Sequence, residues 1–311
     1  MISMGVERER GTPETAKPLR IRFRAADGRS LGGYWWAGAR AVEHTVVFLC
    51  GIACPQRYLR WLAGYLAAHG FGVLTFDYRG IGESADPFSN DPGVTLDEWV
   101  VLDLPAAVAE ARRRSHAGFL TVVAHSIGGQ LLGQSPIRAE IDAALLIASQ
   151  RSIPRLFGGF ARLRLSVGYL LLPIVIRLFG HLPACRWWFP EHCPGETFLQ
   201  LARWSREEAF TDDYGESVEA RFSDYHGPLL SIAISDDHYY APPQAVRALT
   251  DLYSGADVRL ETIEPRSYGL SSIGHWGLFR STTPRALWAR LLEHLQDFEA
   301  ERPQGRDAAS A

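Results

Sequence analysis

Phe119-Leu120-Thr121-Val122-Val123 runs straight into Ala124-His125-Ser126-Ile127-Gly128-Gly129. A short apolar, β-rich run feeds a serine flanked by very small residues, and helix-forming sequence follows. This demands a sharp strand-to-helix turn, in which the side chains two before and two after the serine must be tiny. Such a turn holds the hydroxyl in a strained, exposed pose and leaves the next backbone N–H free as an oxyanion donor. The usual spacing of this nucleophile elbow is Gly-x-Ser-x-Gly. Ala124 replaces the first glycine and adds only one methyl group. Taken alone, Ser126 also reads as an ordinary N-cap on a glycine-rich helix start, so its meaning depends on what else the chain carries.

The chain has 311 residues, 47% of them hydrophobic, and a formal net charge of −3. That is enough for one large α/β domain with a sizeable core, and it gives no reason to expect nucleic acid as a partner. Lys17 is the only lysine and lies in a polar N-terminal stretch. Schiff-base chemistry in the core and a P-loop are therefore excluded, and a Rossmann dinucleotide site is disfavoured, since no G-x-G-x-x-G follows the early strands. The cysteines Cys50, Cys54, Cys185 and Cys193 form no C-x-x-C pair. The first twenty residues contain no apolar h-region, so a reduced, cytoplasmic setting is the expectation. The longest apolar run, Leu165–Leu178, is interrupted by Pro173 and Arg177. It reads as too short to span a bilayer and as a buried or interfacial segment.

Residues 1–18 and 302–311 read as disordered tails. Between them two periodicities alternate. Leu19–Ala25 and Leu31–Trp36 suggest an antiparallel pair joined at Asp27-Gly28, and Thr45–Leu49, Gly72–Phe76, Phe119–Ala124 and Ala143–Ala148 suggest buried strands. Helical spacing appears over Arg57–His69 and Thr95–Arg113 and after Ser126. The rhythm resumes at Leu229–Ile234, Pro242–Tyr253, Val258–Ile263 and Pro284–Glu299. Strand and helix in alternation imply a mostly parallel sheet covered on both faces. Residues 19–150 and 227–301 would form that core, and the Leu-, Trp- and Phe-rich stretch 151–226 a helical cap inserted between two core strands.

A serine nucleophile needs a base, and the base an orienting acid. In open α/β sheets such groups lie at the carboxyl ends of strands. Ser235-Asp236-Asp237-His238 follows one late strand, and Gly274-His275-Trp276-Gly277 lies in the loop after the next. The chain order is Ser, Asp, His. With Gly51-Ile52 after the third strand and Asp77-Tyr78-Arg79-Gly80-Ile81-Gly82-Glu83-Ser84 after the fourth, these motifs resemble the serine α/β-hydrolases over residues 19–301. The resemblance implies the α/β-hydrolase fold with a helical cap. It makes Ser126 the nucleophile, His275 the base and Asp237 the acid, with Asp236 as the alternative, and the backbone N–H groups of Ile52 and Ile127 the oxyanion hole. Many relatives carry His-Gly where this chain has Cys50-Gly51.

Gly51, His125, Tyr239 and Trp276 are the expected substrate contacts, although His125 also reads as a structural side chain behind the elbow. Asp77 and Arg79 read as fasteners of a tight loop. His181, Cys185, His192 and Cys193 match no standard zinc spacing, and neither a metal nor a cofactor is expected. Phe157, Phe160, Leu170, Leu171, Leu172, Trp187, Trp188, Phe189 and Trp204 would form an apolar roof if they faced inward. The leading functional expectation is hydrolysis of an apolar small-molecule ester or thioester through an acyl-enzyme. The alternatives are acyl transfer or cyclisation with the same triad, cofactor-free perhydrolase or halogenating chemistry, and a catalytically silent binding protein on the same fold.

Overall fold

The computed structural model describes residues 17–38, 44–86, 91–115, 118–182 and 191–301. The first part of the chain lays down β1 (Leu19–Arg24), β2 (Ser30–Trp36), β3 (His44–Leu49), α1 (Arg60–Ala68), β4 (Gly72–Phe76), α2 (Leu96–Glu98), α3 (Leu104–Ser115), β5 (Phe119–His125), α4 (Ile127–Gln134) and β6 (Ala143–Ile147). An excursion follows with α5 (Gly159–Phe179), the two-residue strands β7 (His181–Leu182) and β8 (Cys193–Pro194), and α6 (Gly195–Glu207). The chain then returns through β9 (Pro228–Ile234), α7 (Pro243–Thr250), β10 (Asp257–Ile263) and α8 (Arg285–Ala300).

Eight strands form one sheet in the order β1-β2-β4-β3-β5-β6-β9-β10. β1 pairs antiparallel with β2, and β2 with β4. Every other neighbour pair is parallel. The central strands β3, β4, β5 and β6 are buried at every position, as a sheet covered on both faces requires. Parallel registry brings the ends of β3, β4, β5, β6 and β9 to one rim, and that rim carries Gly51, Asp77, Ser126 and the Asp236-Asp237 pair. The expected mostly parallel α/β architecture is thus observed.

α2 and α3 are joined by a π-turn over Trp99–Asp103, and Thr95 caps the start of α2 in a capping box with Glu98. A π-turn re-aims side chains within a helix. Here it turns Asp103 inward, where its carboxylate accepts from the backbone N–H and Nε of Arg79, both at 2.8 Å. Arg79 also reaches Asp27 at 2.9 Å and Glu98 at 2.7 Å, and Trp99 Nε1 donates to its carbonyl. Burial pushes the Asp103 carboxyl up to about 6, with Arg79 opposing it.

The excursion departs from the expectation in two respects. It contains a small antiparallel pair, β7 with β8, where no strands were foreseen. Its first helix is also longer than the apolar run suggested. α5 has 21 residues and is, by length and composition, the one helix among the described residues long and apolar enough to cross a membrane. Pro173 sits inside it without ending it.

Arg79→Met should destabilise the fold by about 3–5 kcal/mol, because it leaves a buried carboxylate unpaired. Arg79→Met with Asp103→Leu should recover part of that loss. Urea unfolding monitored by circular dichroism measures both; equal stability of single and double variants would contradict the pairing.

Candidate active site

Ser126 follows β5 with φ 56° and ψ −120°, a left-handed conformation that costs a non-glycine residue free energy. Its N–H donates to the Ile147 carbonyl at 3.1 Å, which ties the turn to β6. The close approach explains the small residues. A Cβ on Gly128 would come within 2.8 Å of the Leu49 carbonyl, and one on Gly129 within 2.6 Å of Ser149. Ala124 is fully buried. The strand-to-helix elbow read from the sequence is present.

Asp237 and His275 meet across the rim, with Nδ1 2.6 Å from Oδ2, and both side chains are almost completely buried. The second Asp237 oxygen accepts the Tyr240 N–H at 3.1 Å. With Nδ1–H directed to a carboxylate, the neutral imidazole presents Nε2 as an acceptor. Tyr240 stacks on the ring at 5.0 Å, and Trp276 meets it edge-on at 4.9 Å. Asp236 does something else. Its two oxygens accept the N–H groups of Ile273 and Gly274, each at 2.9 Å, and so fasten the backbone immediately before His275. Gly274 has φ 59° there. The two neighbouring acids thus divide the work, one on the imidazole and one on the loop.

No hydrogen bond joins the Ser126 hydroxyl to His275. Ser126 and Tyr240 are among the walls of one cavity, and His275 lies behind Tyr240, whose ring stacks on it. Hydrogen bonds of this kind tighten when substrate is bound.

Ile52 lines that cavity, and its turn is fixed by Cys54 N–H donating to the Gly51 carbonyl. Ile127 is the first residue of α4, so its N–H has no acceptor within the helix and lies at the positive end of the helix dipole. Asp77 secures the Ile52 turn from below. It accepts the N–H groups of Gln56 at 2.6 Å and Glu83 at 2.8 Å, and a Cβ on Gly82 would strike its carboxylate at 2.4 Å. Burial pushes the Asp77 carboxyl up to about 6, against these hydrogen bonds. Cys50 directs its thiol to the Phe76 carbonyl, and burial raises the Cys50, Cys54 and Cys193 thiols.

The cavity holds about 70 Å³. Ser126 and Ile52 lie at its sheet side. The excursion supplies Leu165, Gly168, Tyr169 and Leu172 from α5 and Phe198 and Leu201 from α6, and the loops add Phe157, Gln150, Ser152, Tyr239 and Tyr240. Arg164 also borders it, lying over the Tyr240 ring at 4.9 Å.

Of the four expected substrate contacts, Tyr239 lines the cavity, while Gly51, His125 and Trp276 do not. His125 is fully buried, and its Nε2 donates to the His275 carbonyl at 3.0 Å. It faces away from the cavity because successive strand residues point to opposite faces of the sheet. Burial first, and neighbouring His275 second, push its pKa well below the ordinary value. Gly51 provides room, since a Cβ there would lie 3.1 Å from His125. Trp276 packs on His125 and His275.

The roof is also smaller than expected. Phe157 and Leu172 face the cavity. Phe160, Leu170 and Leu171 point outward and are at least half exposed, and Trp204 packs on Phe210 instead. Trp187, Trp188, Phe189 and Cys185 lie outside the described residues. The sequence reading missed Tyr169, Phe198, Leu201 and Tyr240. For α5 a signal existed, because residues 165, 168, 169 and 172 share one helical face. Among the described residues no cluster of His, Cys, Asp or Glu is arranged to hold a metal ion.

A family model described as serine aminopeptidase, S33, matches residues 40–172, from just before β3 into α5. No curated protein matches the sequence significantly. Among solved structures, a soluble variant of monoglyceride lipase from Saccharomyces cerevisiae, in complex with a substrate analog, is 13% identical with a TM-score of 0.64, covering 93% of this chain and 97% of that one. Est1E from Butyrivibrio proteoclasticus with ferulic acid bound is 17% identical with a TM-score of 0.60, covering 90% and 100%. The Pyrococcus furiosus esterase Pf2001 is 17% identical with a TM-score of 0.56, covering 93% and 96%. Sheet order and structural neighbours agree: the chain has the α/β-hydrolase fold.

Asp77 generates a pH prediction. Between the ordinary value of 3.8 and about 6 the folded protein keeps a proton that the unfolded chain has lost. Its stabilising contribution is therefore full below the unfolded value and lost as pH rises through about 6. Asp77→Asn abolishes this titration, so the stability advantage of the wild type should shrink by about 3 kcal/mol between acidic and neutral pH. Paired urea melts at the two pH values check it; an advantage that grows with pH would reverse the sign and refute the assignment.

Proposed function

We propose that this protein is a serine hydrolase that cleaves a carboxylic ester or thioester of an apolar small molecule through an acyl-enzyme. The carrying observation is the strained Ser126 elbow in the wall of a cavity shared with Tyr240, the ring that stacks on the Asp237-bound imidazole of His275. The esterase and lipase among the structural neighbours point the same way.

In this reading the Ser126 oxygen attacks the substrate carbonyl carbon while its proton passes to His275 Nε2. Asp237 holds the imidazole orientation and stabilises the imidazolium. The developing oxyanion accepts from the N–H groups of Ile52 and Ile127. Collapse of the tetrahedral intermediate expels the alcohol or thiol, which takes the proton from Nε2. Water then attacks the acyl-enzyme, giving its proton to Nε2, and the carboxylic acid leaves as Ser126 regains a proton. Asp236 and His125 are positioning residues, acting on the His275 backbone from two sides.

Residues 151–226 serve as a cap over the 19–150 and 227–301 core. The inner faces of α5 and α6 make the cavity predominantly apolar, which suits an acyl chain or aromatic acid better than a sugar or a charged peptide. About 70 Å³ accommodates only a small group, so a long acyl chain requires α5 and α6 to part.

A fluorophosphonate probe should label the purified chain at Ser126, and Ser126→Ala should abolish labelling. Undiminished labelling of that variant would refute the nucleophile. For a short aryl ester, Asp237→Asn should lower kcat by about 10³–10⁴-fold. Asp236→Asn should cost much less, because it still accepts one of the two loop N–H groups. Equal losses in the two variants would overturn the division between the acids.

A further inference from the structure

Helix α5 has two apolar faces, and the fold uses one. Gly168, Tyr169, Pro173 and Ile176 are buried, and Leu165 and Leu172 turn to the Ser126 cavity. Phe160, Leu163, Val167, Leu170, Ile174 and Leu178 are all exposed, Leu178 at 75%. Their three- and four-residue spacing makes one stripe along the helix, about 27 Å long at 1.5 Å per residue. A continuous apolar surface of this kind marks an interaction site rather than ordinary exposure.

Charge decides between occupants. α5 contains Arg162, Arg164 and Arg177 and no acidic residue. Arg164 turns inward and donates to the Tyr239 carbonyl. Arg162 and Arg177 are exposed near opposite ends of the stripe, and neither forms an ion pair among the described residues. Antiparallel pairing with a second copy would set Arg162 against Arg177, and parallel pairing would set like against like. No carboxylate on either helix relieves the repulsion. An anionic lipid surface meets both requirements, with acyl tails for the stripe and negative headgroups for the arginines. Arg177 also borders a cleft of about 310 Å³ between α5 and α6, with Arg203 and Arg206 and with Glu196 and Asp213. The helix does not need to span the bilayer, because its inner face is already committed to the protein core and the cavity wall.

We infer that the outer face of α5 docks flat on an anionic bilayer surface, with the stripe in the acyl region and Arg162 and Arg177 at the headgroups. The opposite face of the same helix then borders the Ser126 cavity, so a lipid-dissolved substrate reaches the site along the docked helix.

Docking requires no turnover and can be read by vesicle flotation of the full chain. The chain should float with vesicles of phosphatidylcholine and phosphatidylglycerol in equal parts and much less with phosphatidylcholine alone. Each arginine at such a surface is worth about fivefold in partitioning, so Arg162→Gln with Arg177→Gln should lose about 25-fold. Leu170→Ser with Ile174→Ser should abolish flotation while leaving the thermal midpoint unchanged, since both sites are solvent-exposed. Failure of the wild type to float with either vesicle would overturn the inference. So would a wild-type dimer in sedimentation that Leu170→Ser with Ile174→Ser converts to monomer, which would assign the stripe to a second copy. A chain that floats yet resists the fluorophosphonate probe would retain the docking surface and lose the hydrolase reading.

Discussion

The backbone at Ser126 is the constraint to which the rest of the site conforms. A non-glycine residue at φ 56° stores about 1–3 kcal/mol and persists only where its surroundings allow nothing else. Here β5 lies between β3 and β6 in the fully buried middle of the sheet. α4 must start directly above it, at a separation where a single Cβ on Gly128 would meet the Leu49 carbonyl. Burial of the central strands supplies far more than the strain consumes. The strain in turn projects the hydroxyl from the rim and aims the first N–H of α4 at the same space.

Around that point the rim is fastened by carboxylates that hold backbone rather than substrate. Asp77 grips the loop that carries Ile52, Asp103 grips Arg79, and Asp236 grips the residues before His275. A carboxylate accepting two N–H groups is a strong, directional clamp, and three of them set three different loops against one elbow. For two of the three, the cost is visible as a carboxyl pushed up to about 6 by burial.

These clamps explain which features could be read from the sequence. The elbow was legible because its sterics dictate residue types at fixed spacing. The placement of Asp237 and His275 was legible because both follow β-strands that the apolar runs disclose. Asp236 and Asp237 could not be separated with the same certainty, since adjacent residues in a loop differ only in the direction each side chain takes, and that depends on the distant Ile273–His275 segment. His125 was assigned to the substrate because it neighbours Ser126 in the chain, yet strand alternation places it behind the sheet rim. The outward turn of Phe160 and Leu170 was missed for a related reason. Composition identifies an apolar helix, but only its rotational phase against α6 and the sheet determines which apolar stripe faces the cavity.

The same geometry controls charge at the imidazole. In the proposed reaction, attack by Ser126 would make His275 cationic, and a second cation beside it would oppose that step. His125 is the nearest candidate, with its ring centroid 4.6 Å away. Burial holds it neutral, and its Nε2–H is spent on the His275 carbonyl. Tyr240 and Trp276 cover the imidazole with uncharged rings. Asp237 is then the formal charge in hydrogen-bonding contact with the ring, in a nearly dry setting where an ion pair is less screened than in water. The buried histidine that the sequence offered as a substrate contact would thus serve the proposed base instead, by keeping competing positive charge out of its neighbourhood.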